Sequence, residues 1–153
     1  MKSIFASTAI RGTTLACALF GGLMAASTAF AGPAEEAKAH FAAIGAGDVD
    51  RIANAYTDDS RFYWVGGPLD GDYTGAAAIR GVWTKFAKAQ GEMKVTVEHL
   101  EEAANPKGST VTANVVFAGK ATVKVRYVLT YRGDKLIAET WQIAPKLAVG
   151  GGY

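Results

Sequence analysis

The stretch that decides the fold is YTDDSRFYWVGG, residues 56–67. Two adjacent carboxylates, Asp58 and Asp59, precede a run of aromatic and β-branched residues that ends at two glycines. Such a run favours a strand, and alternation places Phe62 and Trp64 on the same face of it. Carboxylates just before a strand commonly bond to nearby backbone groups. We therefore interpret the two aspartates as turn formers rather than as a catalytic pair.

Residues 1–31 have the pattern of a secretory signal peptide. They contain Lys2 and Arg11 but no acid, then a largely apolar run, and then small residues that end in an A-x-A pattern at Ala31. Threonines and glycines interrupt the apolar run, which is too short to span a bilayer. Cleavage after Ala31 predicts a periplasmic or secreted domain, residues 32–153, without a membrane anchor.

The composition of this mature chain excludes several classes of protein. It has the length of one domain, and it keeps 14 of the 16 basic residues and all 14 acidic residues, so its formal charge is zero. Without a basic surplus we expect no nucleic acid as a partner. The mature chain has no cysteine, and no nucleophile-elbow, phosphate-loop or dinucleotide glycine pattern occurs, so we expect no cofactor.

Hydrophobic periodicity divides the mature chain into a helical part and a β part. One helix is predicted to begin at Pro33, a second to be capped by Asp48, and a third to begin at Ala76. Further strands are predicted at residues 94–103, 110–118, 121–131 and 136–144. This order predicts an α+β domain of three N-terminal helices packed on a curved, mainly antiparallel sheet.

The order of elements, with FAAIGAGDVDRIANAYTDDSRFYWVGG (residues 41–67) and YTGAAAIRGVW (residues 73–83), resembles the nuclear transport factor 2-like superfamily. That group contains the SnoaL-like polyketide cyclases and the ketosteroid isomerases, and the resemblance covers about residues 34–144. It implies a cone-shaped domain in which helices close one side of a bent sheet around an apolar cavity, often as a homodimer. Motifs of this kind specify a fold far better than a chemistry.

The same resemblance implies a changed active site. The proton-abstracting aspartate of the isomerases aligns with Trp64, and their helix-one tyrosine, an oxyanion donor, aligns with His40. Their second oxyanion donor aligns near Tyr127. A tryptophan cannot abstract a proton, so isomerisation by that arrangement is not expected.

The last predicted strand decides whether a carboxylate faces the interior. Its two possible inner faces are Leu136, Ala138, Thr140 and Gln142, or Ile137, Glu139, Trp141 and Ile143. The second set is the more apolar, and the resemblance also places it inside, so Glu139 is predicted to face inward. A carboxylate there is a candidate general acid or base, or a structural group paired with a backbone amide or with Arg61.

The two histidines differ in their predicted surroundings. His40 lies on the apolar face of the first helix, where a hydrogen-bonded core histidine is the more common role and a catalytic one the alternative. His99 is predicted to be exposed, and the two histidines form no metal-binding pattern. In the strand before the last, the predicted inner face is Val123, Val125, Tyr127, Leu129 and Tyr131.

Large aromatic residues are frequent for a domain of this size. They suit either a plain core or the wall of a pocket for a flat apolar ligand. The candidates for such a wall are Tyr56, Phe62, Trp64, Trp83 and Trp141.

Three functions stay open on these observations. The first is an exported domain that binds a small apolar molecule in a cone-shaped pocket. The second is a lyase, isomerase or hydrolase in which Glu139 is the general base, while His40 and Tyr127 donate hydrogen bonds to developing negative charge. The third is a dimeric interaction domain with a vestigial pocket, and the partly apolar outer face around Tyr63 and Val128 favours a homodimer in any of the three.

Overall fold

The computed structural model describes residues 31–149, so the predicted signal peptide up to residue 30 and the last four residues lie outside the described part. The helices are α1 (Pro33–Ala46), α2 (Val49–Ala53) and α3 (Ala76–Gln90). The strands are β1 (Arg61–Val65), β2 (Gly71–Thr74), β3 (Lys94–Asn105), β4 (Gly108–Ala118), β5 (Thr122–Arg132) and β6 (Lys135–Ile143). No helix within residues 31–149 is both long and apolar enough to cross a membrane.

The six strands form one curved, mixed sheet in the order β2-β1-β6-β5-β4-β3. From β3 to β6 the chain is an antiparallel meander, as the sequence predicts. The first strand pairs with the last in parallel, from Arg61 opposite Ala138 to Val65 opposite Gln142. This parallel contact joins the two ends of the domain, and β2, which the sequence pattern does not predict, covers the outer edge of β1.

Local chemistry sets the ends of the helices. Pro33 occupies the first turn of α1, and Gly47 ends that helix in the left-handed conformation at φ 69°. The Asp48 side chain accepts a hydrogen bond from the backbone N–H of Arg51 at 3.0 Å, so it caps α2 as predicted. Two helices therefore precede β1, and α3 follows β2.

The core lies between the helices and one face of the sheet. The inner face of β5 is confirmed, because Val125, Tyr127, Leu129 and Tyr131 are buried and Val123 is half-buried. His99 is exposed, as predicted, and it lies at φ 50° where the register between β3 and β4 shifts. The turn before β1 is also confirmed, with Asp58 and Asp59 both exposed.

The inner face of β6 is the predicted one except at its start. Thr130 pairs with Ala138, whereas Tyr131 pairs with Leu136, so Ile137 is an extra residue in a β-bulge. A bulge shifts the alternation by one residue. Leu136 is therefore buried and Ile137 only half-buried, and the prediction that Ile137 faces the core was wrong.

Two glycines of the α3 region are expected to respond oppositely to alanine. Gly75, the residue before α3, has φ 86° and ψ 150°, and a Cβ there would lie 3.0 Å from the carbonyl oxygen of Asp58. Gly75→Ala should lower the free energy of unfolding by about 1–3 kcal/mol, because only glycine adopts this conformation readily. Urea denaturation of the variant measures the loss.

Gly81 is the matched control, since it lies inside α3 and a Cβ added there would meet no atom within 4 Å. Gly81→Ala should raise the free energy of unfolding by about 0.5–1 kcal/mol through the better helix propensity of alanine. Equal effects of the two substitutions would contradict the conformational argument.

Candidate functional site

A carboxylate lies at the centre of the domain. Glu139 of β6 is 0% exposed and stands between Leu129 of β5 and Phe62 of β1 in the sheet. It faces the interior, as the apolar pattern of β6 predicted. A buried carboxylate is stable only when donors surround it, so its partners define the site.

Two side chains from different parts of the chain contact this carboxylate, and a third bonds to one of them. The Tyr56 hydroxyl donates a hydrogen bond to Oε2 of Glu139. His40 Nε2 lies 3.3 Å from each carboxylate oxygen, and Trp83 Nε1 donates to the Tyr56 hydroxyl at 3.0 Å. We call Glu139, His40, Tyr56 and Trp83 the Glu139 cluster.

Arg61 forms an ion pair on the other face of the sheet, away from Glu139. Its guanidinium lies 3.6 Å from the carboxylate of Asp72 on β2, and both side chains are about half exposed. Of the alternatives for Glu139, pairing with Arg61 is therefore excluded, because β1 directs Arg61 and Phe62 to opposite faces.

Three further polar atoms close to the cluster are buried without a partner. Among the described residues, the Tyr127 hydroxyl, the Tyr131 hydroxyl and Trp141 Nε1 form no hydrogen bond. A buried donor left unpaired costs about 1–3 kcal/mol. A group that accepts a hydrogen bond would satisfy such a donor.

Burial keeps the phenols of this region in their protonated form. It raises the pKa of Tyr56, Tyr127 and Tyr131 well above the ordinary value, and the negative charge of Glu139 raises each of them further. All three hydroxyls are therefore hydrogen-bond donors over the whole physiological pH range.

A cleft of about 210 Å³ lies over one side of the cluster. We call it the α1–α2 cleft, and it is lined by Glu36, Ala39, His40, Arg51, Asn54, Ala55, Tyr131 and Asp134. His40 thus touches both the buried carboxylate and the cleft. A histidine held by a carboxylate next to an open cleft is an arrangement suited to proton transfer.

The predicted aromatic wall is packed as a core. Trp64 stacks on Trp141 with ring centroids 4.5 Å apart, and Phe117 stacks on the same indole at 5.1 Å. Phe62 stacks on Trp83 at 5.1 Å. Four of the five predicted wall residues, Phe62, Trp64, Trp83 and Trp141, are therefore in ring contact with one another.

The polar residues that meet in the structure differ in part from the predicted set of Glu139, His40 and Tyr127. It brings His40 and Glu139 together, but the phenol bonded to Glu139 is Tyr56, which the sequence pattern marked only as an aromatic wall residue. Tyr127 is buried nearby without a partner. No local signal could have identified Tyr56, because 83 residues separate it from Glu139.

Within residues 31–149, no group of three or more His, Cys, Asp or Glu side chains is arranged to hold a metal ion. The cluster contains one histidine and one carboxylate. The cluster therefore offers hydrogen-bond donors, Tyr56 and Trp83, and a carboxylate–histidine pair that can accept a proton.

Comparison with known proteins identifies the family. The model of the SnoaL-like domain matches residues 37–139, which include most of α1, all the residues of the Glu139 cluster and most of the sheet. The chain therefore belongs to the SnoaL-like domain family. None of the curated protein sequences matches it significantly.

Solved structures agree on the fold. An NTF2-like protein of unknown function from Pseudomonas putida KT2440 has a TM-score of 0.61 at 18% identity, covering 71% of this chain and 81% of its own. One from Burkholderia xenovorans LB400 has a TM-score of 0.51 at 23% identity, covering 72% and 87%. A protein with a ketosteroid isomerase-like fold from Catenulispora acidiphila DSM 44928, solved with trimethylamine, has 0.53 at 17% identity, covering 72% and 86%. At these identities the likeness establishes the nuclear transport factor 2-like fold and nothing finer.

The buried phenols predict the behaviour of the domain at alkaline pH. The unfolded chain releases its phenolic protons near pH 10, while the folded state keeps those of Tyr56, Tyr127 and Tyr131. Their contribution is intact below that pH and is lost as the pH rises above it, by about 1.4 kcal/mol per pH unit for each phenol. Urea midpoints measured from pH 8 to about pH 11 should fall steeply at the upper end.

Two substitutions separate this effect from general alkaline denaturation. Tyr127→Phe removes one buried phenol and should make the fall shallower by roughly a third. Trp64→Phe changes the same core without removing a phenol and should leave the slope unchanged. Identical slopes for both variants would refute the assignment.

Proposed function

We propose that this chain is an exported small-molecule-binding domain and that its ligand site is the α1–α2 cleft together with the polar atoms beneath it. The observation that carries this proposal is the Tyr131 hydroxyl, which is buried, unpartnered, and belongs to a residue that lines the cleft. His40 lines the same cleft. A ligand that accepts a hydrogen bond would supply the partner that this hydroxyl lacks.

The packing of the interior favours the cleft over the apolar pocket that the resemblance implies. The rings of Trp64, Trp83 and Trp141 are in mutual contact, with centroids 4.5–5.6 Å apart. A flat apolar ligand would have to separate these rings and lose their contact energy. The cleft, at about 210 Å³, is smaller than the usual range for drug-sized ligands and suits a molecule of one ring or less.

Export is part of the same proposal. The A-x-A pattern at Ala31 supports cleavage there, and α1 begins two residues later at Pro33. Release into the periplasm or the medium would place the cleft where small molecules from the environment reach it.

An enzymatic function is the second candidate, and one observation favours it. His40 Nε2 lies 3.3 Å from both oxygens of Glu139, and His40 also lines the cleft. A carboxylate–histidine pair next to a bound molecule is a general acid/base arrangement, so lyase, isomerase or hydrolase chemistry would use the same site.

The binding site can be located by native mass spectrometry of protein purified from cells that express the full-length sequence. Wild-type protein should carry a copurifying small molecule, and Tyr131→Phe should lose it because the variant lacks the cleft hydroxyl. Trp64→Ala should keep the molecule while losing about 3–5 kcal/mol of stability from the emptied core.

Tyr63→Phe, on the opposite face of the sheet, is the matched control for Tyr131→Phe and should retain the ligand. Loss of the ligand in Trp64→Ala and its retention in Tyr131→Phe would place the site in the aromatic interior instead. Wild-type protein free of any bound small molecule would count against a binding function.

We also propose that the chain forms a homodimer through the open face of the sheet. Tyr63 and Val65 of β1 are each 37% exposed on that face. Light scattering at micromolar concentration should give twice the mass of the chain, and Tyr63→Asp should shift the mass toward a monomer by placing a charge in the interface. Asp59→Asn, in the exposed turn before β1, is the control; a monomeric wild type would refute the dimer.

A further inference from the structure

Two hydrogen bonds of the Glu139 cluster form a chain in which Trp83 donates to Tyr56 and Tyr56 donates to Glu139. An indole N–H only donates, so the Tyr56 hydroxyl accepts from Trp83 Nε1 at 3.0 Å. The proton of that hydroxyl then goes to Oε2 of Glu139. Trp83 thereby strengthens Tyr56 as a donor, and Tyr56 stabilises the ionised form of the carboxylate.

His40 completes the environment of the carboxylate. Its Nε2 is the ring atom that faces Glu139, 3.3 Å from each oxygen. An ionised carboxylate needs a donor there, so the proton of the neutral ring belongs on Nε2. Nδ1 is then the ring nitrogen with a free lone pair, and it can accept a proton.

His40 differs from the other residues of the Glu139 cluster because it borders the α1–α2 cleft. Glu139 is 0% exposed, and of the four cluster residues His40 is the one that lines the α1–α2 cleft. A molecule in the cleft therefore meets the imidazole before it can meet the carboxylate.

We propose that His40, rather than Glu139, takes a proton from a ligand in the α1–α2 cleft, and that Glu139, Tyr56 and Trp83 are positioning residues that hold the ring with its proton on Nε2. The proton transfer from a ligand to His40 rests on the proposed function, whereas the tautomer of the His40 ring does not depend on it. The ligand class is a small weak acid with an acidic O–H or N–H group. Its proton passes to Nδ1, the ligand keeps the bonding electron pair, and the imidazolium and Glu139 become an ion pair.

The surroundings fit such a transfer. The Tyr131 hydroxyl, unpartnered and part of the cleft lining, can donate to the anion that the ligand becomes. The other ionisable groups around the cleft are Glu36 of α1, Arg51 of α2 and Asp134 of the β5–β6 turn. These three are exposed, so water and salt screen their charges more than those of the buried pair.

The ring state can be read directly by ¹⁵N NMR of histidine-labelled protein, expressed from the full-length sequence, without any ligand. The chain has two histidines, and exposed His99 serves as the internal reference. His40 should show the Nε2–H tautomer with a protected, downfield Nε2–H resonance. Glu139→Gln should remove the tautomer preference while preserving the size of the side chain.

Matched pairs of variants distinguish positioning from general packing. Tyr56→Phe should cause loss of the protected resonance, whereas Tyr131→Phe removes a buried hydroxyl that forms no hydrogen bond and should leave the resonance of the ligand-free protein in place. Trp83→Phe should weaken it. Trp64→Phe, whose indole donates to the Gly66 carbonyl instead, should not. An Nδ1–H tautomer in wild type, or equal spectra for Tyr56→Phe and Tyr131→Phe, would overturn the positioning role.

Proton transfer is tested with 4-nitrophenol, a one-ring weak acid whose anion is coloured. Near neutral pH, where part of the free probe is un-ionised and an ordinary imidazole is mostly neutral, wild-type protein should increase the phenolate absorbance, His40→Gln should abolish the increase, and Tyr63→Phe should not affect it. Resonance shifts at Tyr131 and His40 report binding separately. Binding without phenolate overturns the role of His40, whereas no binding by a probe of this size counts against the cleft and thus against the proposed function.

Discussion

The carboxylate of Glu139 is the constraint on which the arrangement of this domain depends. A charge at 0% exposure costs several kcal/mol unless donors surround it. Here the donors come from α1 through His40 and from the segment after α2 through Tyr56, which α3 supports through Trp83. One buried group on β6 therefore requires α1, α3 and the segment after α2 to meet the sheet in a single arrangement.

The packing of the aromatic interior differs from the active-site arrangement of the ketosteroid isomerases, although the chain belongs to the SnoaL-like domain family. Trp64 stands where the resemblance aligns the proton-abstracting aspartate, and its indole is stacked 4.5 Å from that of Trp141. Its N–H is used by the Gly66 carbonyl at 3.0 Å. The ring that replaces the base thus also fills the space in front of it, and the polar groups that remain accessible lie at the α1–α2 cleft.

Much of the architecture could be predicted because it depends on local patterns. Pro33, Asp48 and Gly47 act within one helical turn, and the alternation in β5 predicts its buried face residue by residue. The strand β2 was missed because it is four residues long, follows a glycine-rich loop and has no fully buried side chain. Ile137 was assigned to the wrong face because a bulge breaks the alternation, and only the pairing with β5 creates that bulge.

The sequence by itself determined the fold class, the meander, the inward face of Glu139 and the position of His40 on the apolar side of α1. These follow from periodicity, which is a property of neighbouring residues. The tertiary structure decided that Tyr56, rather than Tyr127, bonds to Glu139, that Arg61 pairs with Asp72, and that the aromatic residues pack on one another. Tyr56 and Glu139 lie 83 positions apart in the chain, and the parallel pairing of β1 with β6 brings their segments together. Arg61 and Asp72 meet because β2 pairs with β1.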